Sequence, residues 1–266
     1  YTLYGDLSWR VMETLRMITG KDKVEVYSVD EAFIDLPEMT EQEAADYALY
    51  IRKTVETWTG ISVSVGIAPS KTLAKAANYI AKKNKQHTQC VYVIISEEEK
   101  YRALSSIRVI HLWGVGRAYA DKLINMGITS AWELRNMSPE WAYKQLGGVV
   151  GLRLIKELRG IPSIAMREPL ETKRMIASTR MFGSPVADIG SIKEAIATYT
   201  SLAAQKLRRQ SCAARTVSIF IVAKEQDHSA DFSYGNITSI HTTLPAAPAV
   251  TNELIKPAVA LVDRLF

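Results

Sequence analysis

Two acids, Asp30 and Glu31, stand side by side in a stretch otherwise suited to a strand. Val24, Val26 and Val29 lead in, and Phe33, Ile34 and Leu36 lead out, mostly residues that fit a pleated, half-buried surface. Successive side chains of a strand point to opposite faces, so a straight strand would aim the two carboxylates apart. A bend at the pair brings both to one corner and divides the stretch into two short strands. Such a corner is either an acidic turn or a place where two carboxylates approach one hard cation. Mg²⁺ is bound in that way, by one or two carboxylates together with substrate phosphates.

Around that corner the hydrophobic period alternates between helix and strand. Leu7, Val11, Leu15 and Ile18 repeat at helical spacing, with Asp6 as a cap and Gly20 as a stop. A second helix is expected from Glu41 to Trp58, ended by Gly60. Residues 61–67 alternate as a strand, Pro69-Ser70 opens an Ala- and Lys-rich helix to about Lys83, and Val91 to Ile95 reads as another strand. This pattern predicts a mixed α/β (α+β) fold for residues 1–100. From Glu97 to Gly160 the pattern is wholly helical, with Gly-containing turns. A linker over 166–171 leads to a third α/β unit over 172–266. There a strand is expected near 173–182, a helix near 191–210, strands near 214–223 and 232–243, and a helix from about 248.

Charge is distributed unevenly along this frame. Residues 1–100 carry 12 basic and 15 acidic residues, 101–165 carry 9 and 4, and 166–266 carry 12 and 9. An acidic excess beside the acid pair and a basic excess behind it suit a metal site next to a polyanion-binding surface, and suit solvated faces equally. No apolar run approaches the roughly 20 residues of a membrane span, and the start has no signal-peptide pattern. Cys90 and Cys212 lie far apart without ligand spacing, which predicts buried, reduced thiols in a cytoplasmic protein and no structural zinc. Tyr1 stands where a complete chain would have methionine, so the sequence is read as part of a longer protein.

Two further motifs bear chemistry. In Ser64–Asn78 a strand passes through Gly66 into a helix carrying Lys71 and Lys75, four residues apart and so on one face. A helix N-terminus with lysines beside it is an anion site; the same lysines could simply be solvated. In His111–Leu123, Gly114-Val115-Gly116-Arg117 at a helix start has the form of a helix-hairpin-helix turn. Its glycines admit a phosphate close to the backbone, or merely connect two packed helices tightly.

YSVDEAFIDL, SVGIAPSKTLAKAANYIAKK, the HLWGVG turn, GDLSWRVMETL ahead of them and ELRGIP behind them occur in the order and spacing of one family. The chain resembles the Y-family, lesion-bypass DNA polymerases, most of all their bacterial UmuC-like branch. The resemblance implies a partial palm over residues 1–100, an all-helical thumb over 101–165 and a little finger over 172–266 without its last strand. It assigns Asp30 and Glu31 to catalysis and to holding two Mg²⁺ ions, and Lys75, with Lys71 as a weaker candidate, to the incoming nucleotide. Gly114, Gly116 and Arg117 would hold primer-strand phosphate, and Lys173, Arg174 and Arg180 the duplex.

The family's first metal-binding aspartate and its fingers have no counterpart here. The resemblance therefore implies translesion synthesis by the full-length protein and DNA binding without measurable insertion by these 266 residues. The implied partners are primer–template DNA, deoxynucleoside triphosphate, a UmuD-type subunit, a RecA filament and a sliding clamp. Two other readings remain open: a non-catalytic DNA-binding module with a degenerate palm, and a palm-type nucleotide cyclase.

Overall fold

A computed structural model describes residues 2–166, 174–222 and 237–265. The chain divides into two compact units, residues 1–169 and 170–266. Among the described residues, no helix is long and apolar enough to cross a membrane.

The first unit opens with α1 (Thr2–Thr19), whose Met12 and Leu15 are buried against Val24, Ile51 and Val55. Gly20, at φ 103°, turns the chain out of the helix. Strands β1 (Val24–Val26) and β2 (Ala32–Ile34) pair antiparallel, with Glu25 opposite Phe33. The acid pair lies between them, at the bend its sequence demands. Helix α2 (Glu41–Thr59) starts on a capping box in which Thr40 and Glu43 bond reciprocally, and ends at Gly60 with φ 72°.

Strand β3 (Val65–Ile67), helix α3 (Lys71–Lys83), a short helix α4 (Lys85–Thr88) and strand β4 (Val91–Val93) form a crossover unit with β3 and β4 parallel. Gly66 is where strand and helix touch. A Cβ there would stand 2.2 Å from Asn78 N and 2.5 Å from Ala74 O, so only glycine lets the two backbones approach so closely.

Five helices follow: α5 (Glu97–Ser106), α6 (Arg117–Asn125), α7 (Ala131–Arg135), α8 (Pro139–Gln145) and α9 (Val149–Leu158). They share one continuous core with α3: Leu73, Ala77 and Ile80 pack with Leu104, Leu123, Leu134, Ile155 and Leu158. The buried face of α3 packs on the helical segment and on β3 and β4, while Lys71 and Lys75 reach the β1–β2 hairpin.

In the second unit, α10 (Ile189–Arg209), the antiparallel strands β5 (Thr216–Val222) and β6 (Ile237–Thr243), and α11 (Thr251–Leu265) gather around Ile192, Ile219, Ala258, Leu261 and Val262. The strand expected near 173–182 is corrected here. Residues 174–182 form no strand, although Ile176 and Ser178 turn inward in alternation. Ile176 packs on the Ala204, Leu207 and Leu254 cluster instead, and the Ala177 carbonyl accepts a bond from Lys206 Nζ at 3.1 Å rather than from a ladder. The two thiols are free and half-buried rather than buried.

Candidate functional site

The β1–β2 connection is closed by the Glu31 carbonyl, which accepts bonds from both Tyr27 N and Ser28 N at 3.0 Å. That closure places Asp30 and Glu31 next to each other at the hairpin's end. Asp30 is exposed, and its Oδ1 accepts a 2.6 Å bond from Ser28 Oγ. Glu31 is half-buried, and its carboxylate forms an ion pair with Lys75 Nζ of α3.

Lys71, one turn earlier on α3, has turned the same way. Its ammonium pairs with Glu25 of β1 and donates to the Ala165 carbonyl at 2.9 Å. Only 9% of the Lys71 side chain and 4% of the Glu25 side chain are exposed. A buried pair that lost one partner would leave an uncompensated charge, so this ammonium is committed to the fold. Lys75 is the lysine that lies at the acid pair. Glu25 went unnoticed in the sequence; its only signal is an acid between Val24 and Val26, on the strand leading to the corner.

The anion site expected at the N-terminus of α3 is corrected as well, because its N–H groups have partners within the protein. Ser70 Oγ accepts from Leu73 N at 3.4 Å, and Glu157 Oε2 of α9 accepts from Thr72 N at 3.0 Å. Glu157 is fully buried, and its Oε1 accepts from Ser163 N at 2.6 Å and Ile164 N at 3.0 Å. The helix's positive end is therefore met by the protein's own carboxylate. What remains for an outside anion is the lysine face one turn further along.

Among the described residues, no group of three or more metal-ligating side chains exists. The local donors at the corner are hard oxygens on two neighbouring carboxylates, without Cys or His. Oxygen donors of that kind suit a hard divalent cation whose coordination is completed by outside oxygen ligands.

Gly114 and Gly116 lie on the loop before α6, and both are exposed, as is Arg117 at the first helical position. Gly114 has φ 92°, a conformation that favours glycine, so the turn itself accounts for it. Gly116 is different. Its φ is −77°, and nothing lies within 4 Å of where a Cβ would be. No internal contact requires glycine there, and no side chain caps α6. Gly116 and the start of α6 are thus exposed on the loop.

In the second unit, Arg174 and Arg180 are exposed, and Arg180 bonds the neighbouring Thr179 carbonyl at 2.7 Å. Lys173 lies outside the described residues. Sequence reading missed the open face of the β5–β6 hairpin, where Thr216, Ser218 and Phe220 are exposed opposite Thr243, His241 and Ser239. Its signal was the alternation of hydroxyl and apolar residues along β5.

The impB/mucB/samB family profile matches residues 1–79, and the profile of that family's C-terminal domain matches residues 173–266. The chain is 35% identical to Protein UmuC of Salmonella typhimurium, over 100% of its own length and 62% of that protein. It is 29% identical to DNA polymerase IV of Brucella melitensis, over 84% of its length and 48% of the relative. It thus spans about three fifths of the curated relatives it matches along its whole length. In fold it is similar to a Y-family DNA polymerase chimera of Dbh and Dpo4, with a TM-score of 0.72 at 23% identity, covering 99% of this chain and 71% of that one. The insertion ternary complex of Dbh DNA polymerase aligns with a TM-score of 0.54 at 23% identity, covering 99% of this chain and 71% of that one.

Proposed function

The chain belongs to the impB/mucB/samB family and has the fold of a Y-family DNA polymerase, and from that premise we propose that it serves template-directed nucleotide insertion across damaged DNA. The observation that carries the reading is the Glu31–Lys75 pair beside Asp30. It supports the reading because the carboxylate that would meet a cation and the ammonium that would meet a triphosphate lie against each other, each neutralising the other.

Asp30 and Glu31 would hold magnesium. Two such ions would supply the chemistry, one lowering the pKa of the primer hydroxyl and the other offsetting charge on the triphosphate and the leaving pyrophosphate. Lys75 would release Glu31 and orient the phosphates, with Lys71 holding α3 against β1 behind it. Gly116 and Arg117 would grip a phosphate of the primer strand, with Gly114 shaping the loop. The hydroxyl-lined hairpin face of the second unit, with Lys173, Arg174 and Arg180, would track the duplex backbone. In family terms we assign residues 1–100 to the palm, 101–165 to the thumb and 172–266 to the little finger. By the same likeness, the complete protein would act in the bacterial cytoplasm with a UmuD-type subunit, a RecA filament and a sliding clamp.

Lys75→Met in the complete protein is expected to raise the nucleotide KM about 10- to 100-fold, the range of one charged phosphate contact of about 1.5–3 kcal/mol. The Kd for primer–template should stay within about twofold. Steady-state insertion kinetics check this, and an unchanged nucleotide KM would remove Lys75 from the site. The chain itself should bind primer–template through phosphates, so its affinity should fall at least tenfold as salt rises from about 50 to 200 mM. Fluorescence anisotropy measures that slope, and a flat one rules out a phosphate-tracking surface.

A further inference from the structure

Three aromatic rings meet beside the acid pair. Tyr27 and Phe33 flank the hairpin's end, and Trp113 directly precedes Gly114. The ring centroids lie 5.5 Å apart for Tyr27–Phe33, 5.8 Å for Tyr27–Trp113 and 5.7 Å for Phe33–Trp113. Those separations suit favourable edge-to-face contacts. The Trp113 indole N–H donates to the Tyr27 hydroxyl at 3.2 Å, so the cluster has a directional tie as well as packing. Helix α3 joins from a third side, with Lys71 Nζ 4.9 Å from the Phe33 ring centre and Lys75 Nζ 5.9 Å from that of Tyr27. Both distances fall within reach of cation–π attraction.

None of these rings belongs to the buried core; Tyr27 is 38% exposed. They sit where the hairpin, the lysine helix and the glycine loop converge. Tyr27 also donates its backbone N–H to Glu31 O. One residue therefore closes the acid-bearing turn with its backbone and holds Trp113 with its side chain.

We propose that Trp113 is a positioning residue, one that sets the distance between the Gly114–Gly116 loop and the Asp30–Glu31 corner. A primer phosphate seated on the loop and the reacting end of the same strand at the acids are then kept in register. The inference rests on the polymerase reading of this site. Its physical basis is that reacting groups must be held in place, since a displacement of about 1 Å can cost about 100-fold in rate.

The test uses the complete protein. With Trp113→Ala, the single-turnover insertion rate at saturating DNA and nucleotide should fall about 10- to 100-fold, with the DNA Kd within about threefold of wild type. Trp113→Phe keeps a ring but loses the N–H, and Tyr27→Phe loses the acceptor, so these two variants carry the test should the alanine variant fail to fold. Each should slow insertion, and the double variant should be no slower than the worse single one, because both remove the same bond. Near wild-type insertion by Trp113→Ala, a loss confined to DNA affinity, or additive effects in the double variant would overturn the positioning role. If Asp30→Ala abolishes insertion in the same experiment, such a result leaves the polymerase reading standing. Undiminished insertion by Asp30→Ala removes both.

Discussion

Asp30→Ala in the complete protein is expected to lower Mg²⁺-dependent primer extension by about 1,000-fold or more while leaving DNA affinity and thermal stability near wild type. Charge stabilisation at such a centre is worth several kcal/mol, and each 1.36 kcal/mol is tenfold in rate. The variant separates chemistry from folding unusually well. Among the described residues, Asp30 is exposed and bonds only within its own loop, to Ser28. The loop is closed independently by Tyr27 N and Ser28 N on the Glu31 carbonyl. Loss of a surface side chain of this kind costs within about 0.5 kcal/mol. Extension assays, anisotropy with labelled primer–template and a thermal melt measure the three quantities. Extension within tenfold of wild type would mean that the acid pair is an acidic turn, and that the chain binds DNA without contributing chemistry at this corner.

Gly66→Ala should cost at least about 3 kcal/mol, the upper range for overpacking, because the new methyl meets backbone rather than movable side chains. Asn78 N at 2.2 Å, Ala74 O at 2.5 Å and Ala77 C at 2.8 Å all lie inside contact distance. Relief requires α3 to move off β3. For a unit of this size the loss corresponds to about 6–12 °C in Tm, read by calorimetry on the isolated chain. The displacement would also carry Lys75 away from Glu31, so nucleotide affinity in the complete protein should fall with stability. A melting temperature within about 2 °C of wild type would show that the contact yields easily and that α3 is not held in place by β3.

Most helices were legible from local pattern because their causes are local. The period of Leu7, Val11, Leu15 and Ile18 matches α1, and Ser70 ahead of an Ala- and Lys-rich run matches α3. Strands were legible as tendencies but not as pairings. Only Ile176 and Ser178 alternate inward within 174–182, yet a ladder needs a neighbour at the right distance, and Lys206 satisfies the Ala177 carbonyl instead. The bend at the adjacent acids was legible, and the structure places it between β1 and β2, closed by the Glu31 carbonyl.

The order of residues alone determined the bend at Asp30-Glu31, the shared face of Lys71 and Lys75, and the family to which the chain belongs. Each is a matter of neighbours within a few positions, or of motifs read in order. Only the tertiary structure decided that Lys75 meets Glu31 while Lys71 is locked to Glu25, that Glu157 fills the start of α3, and that Trp113 reaches the hairpin. Those partners stand 44, 46, 85 and 86 positions apart along the chain. Nothing in local propensity selects among partners so distant; packing α3 between the hairpin and the helical core does.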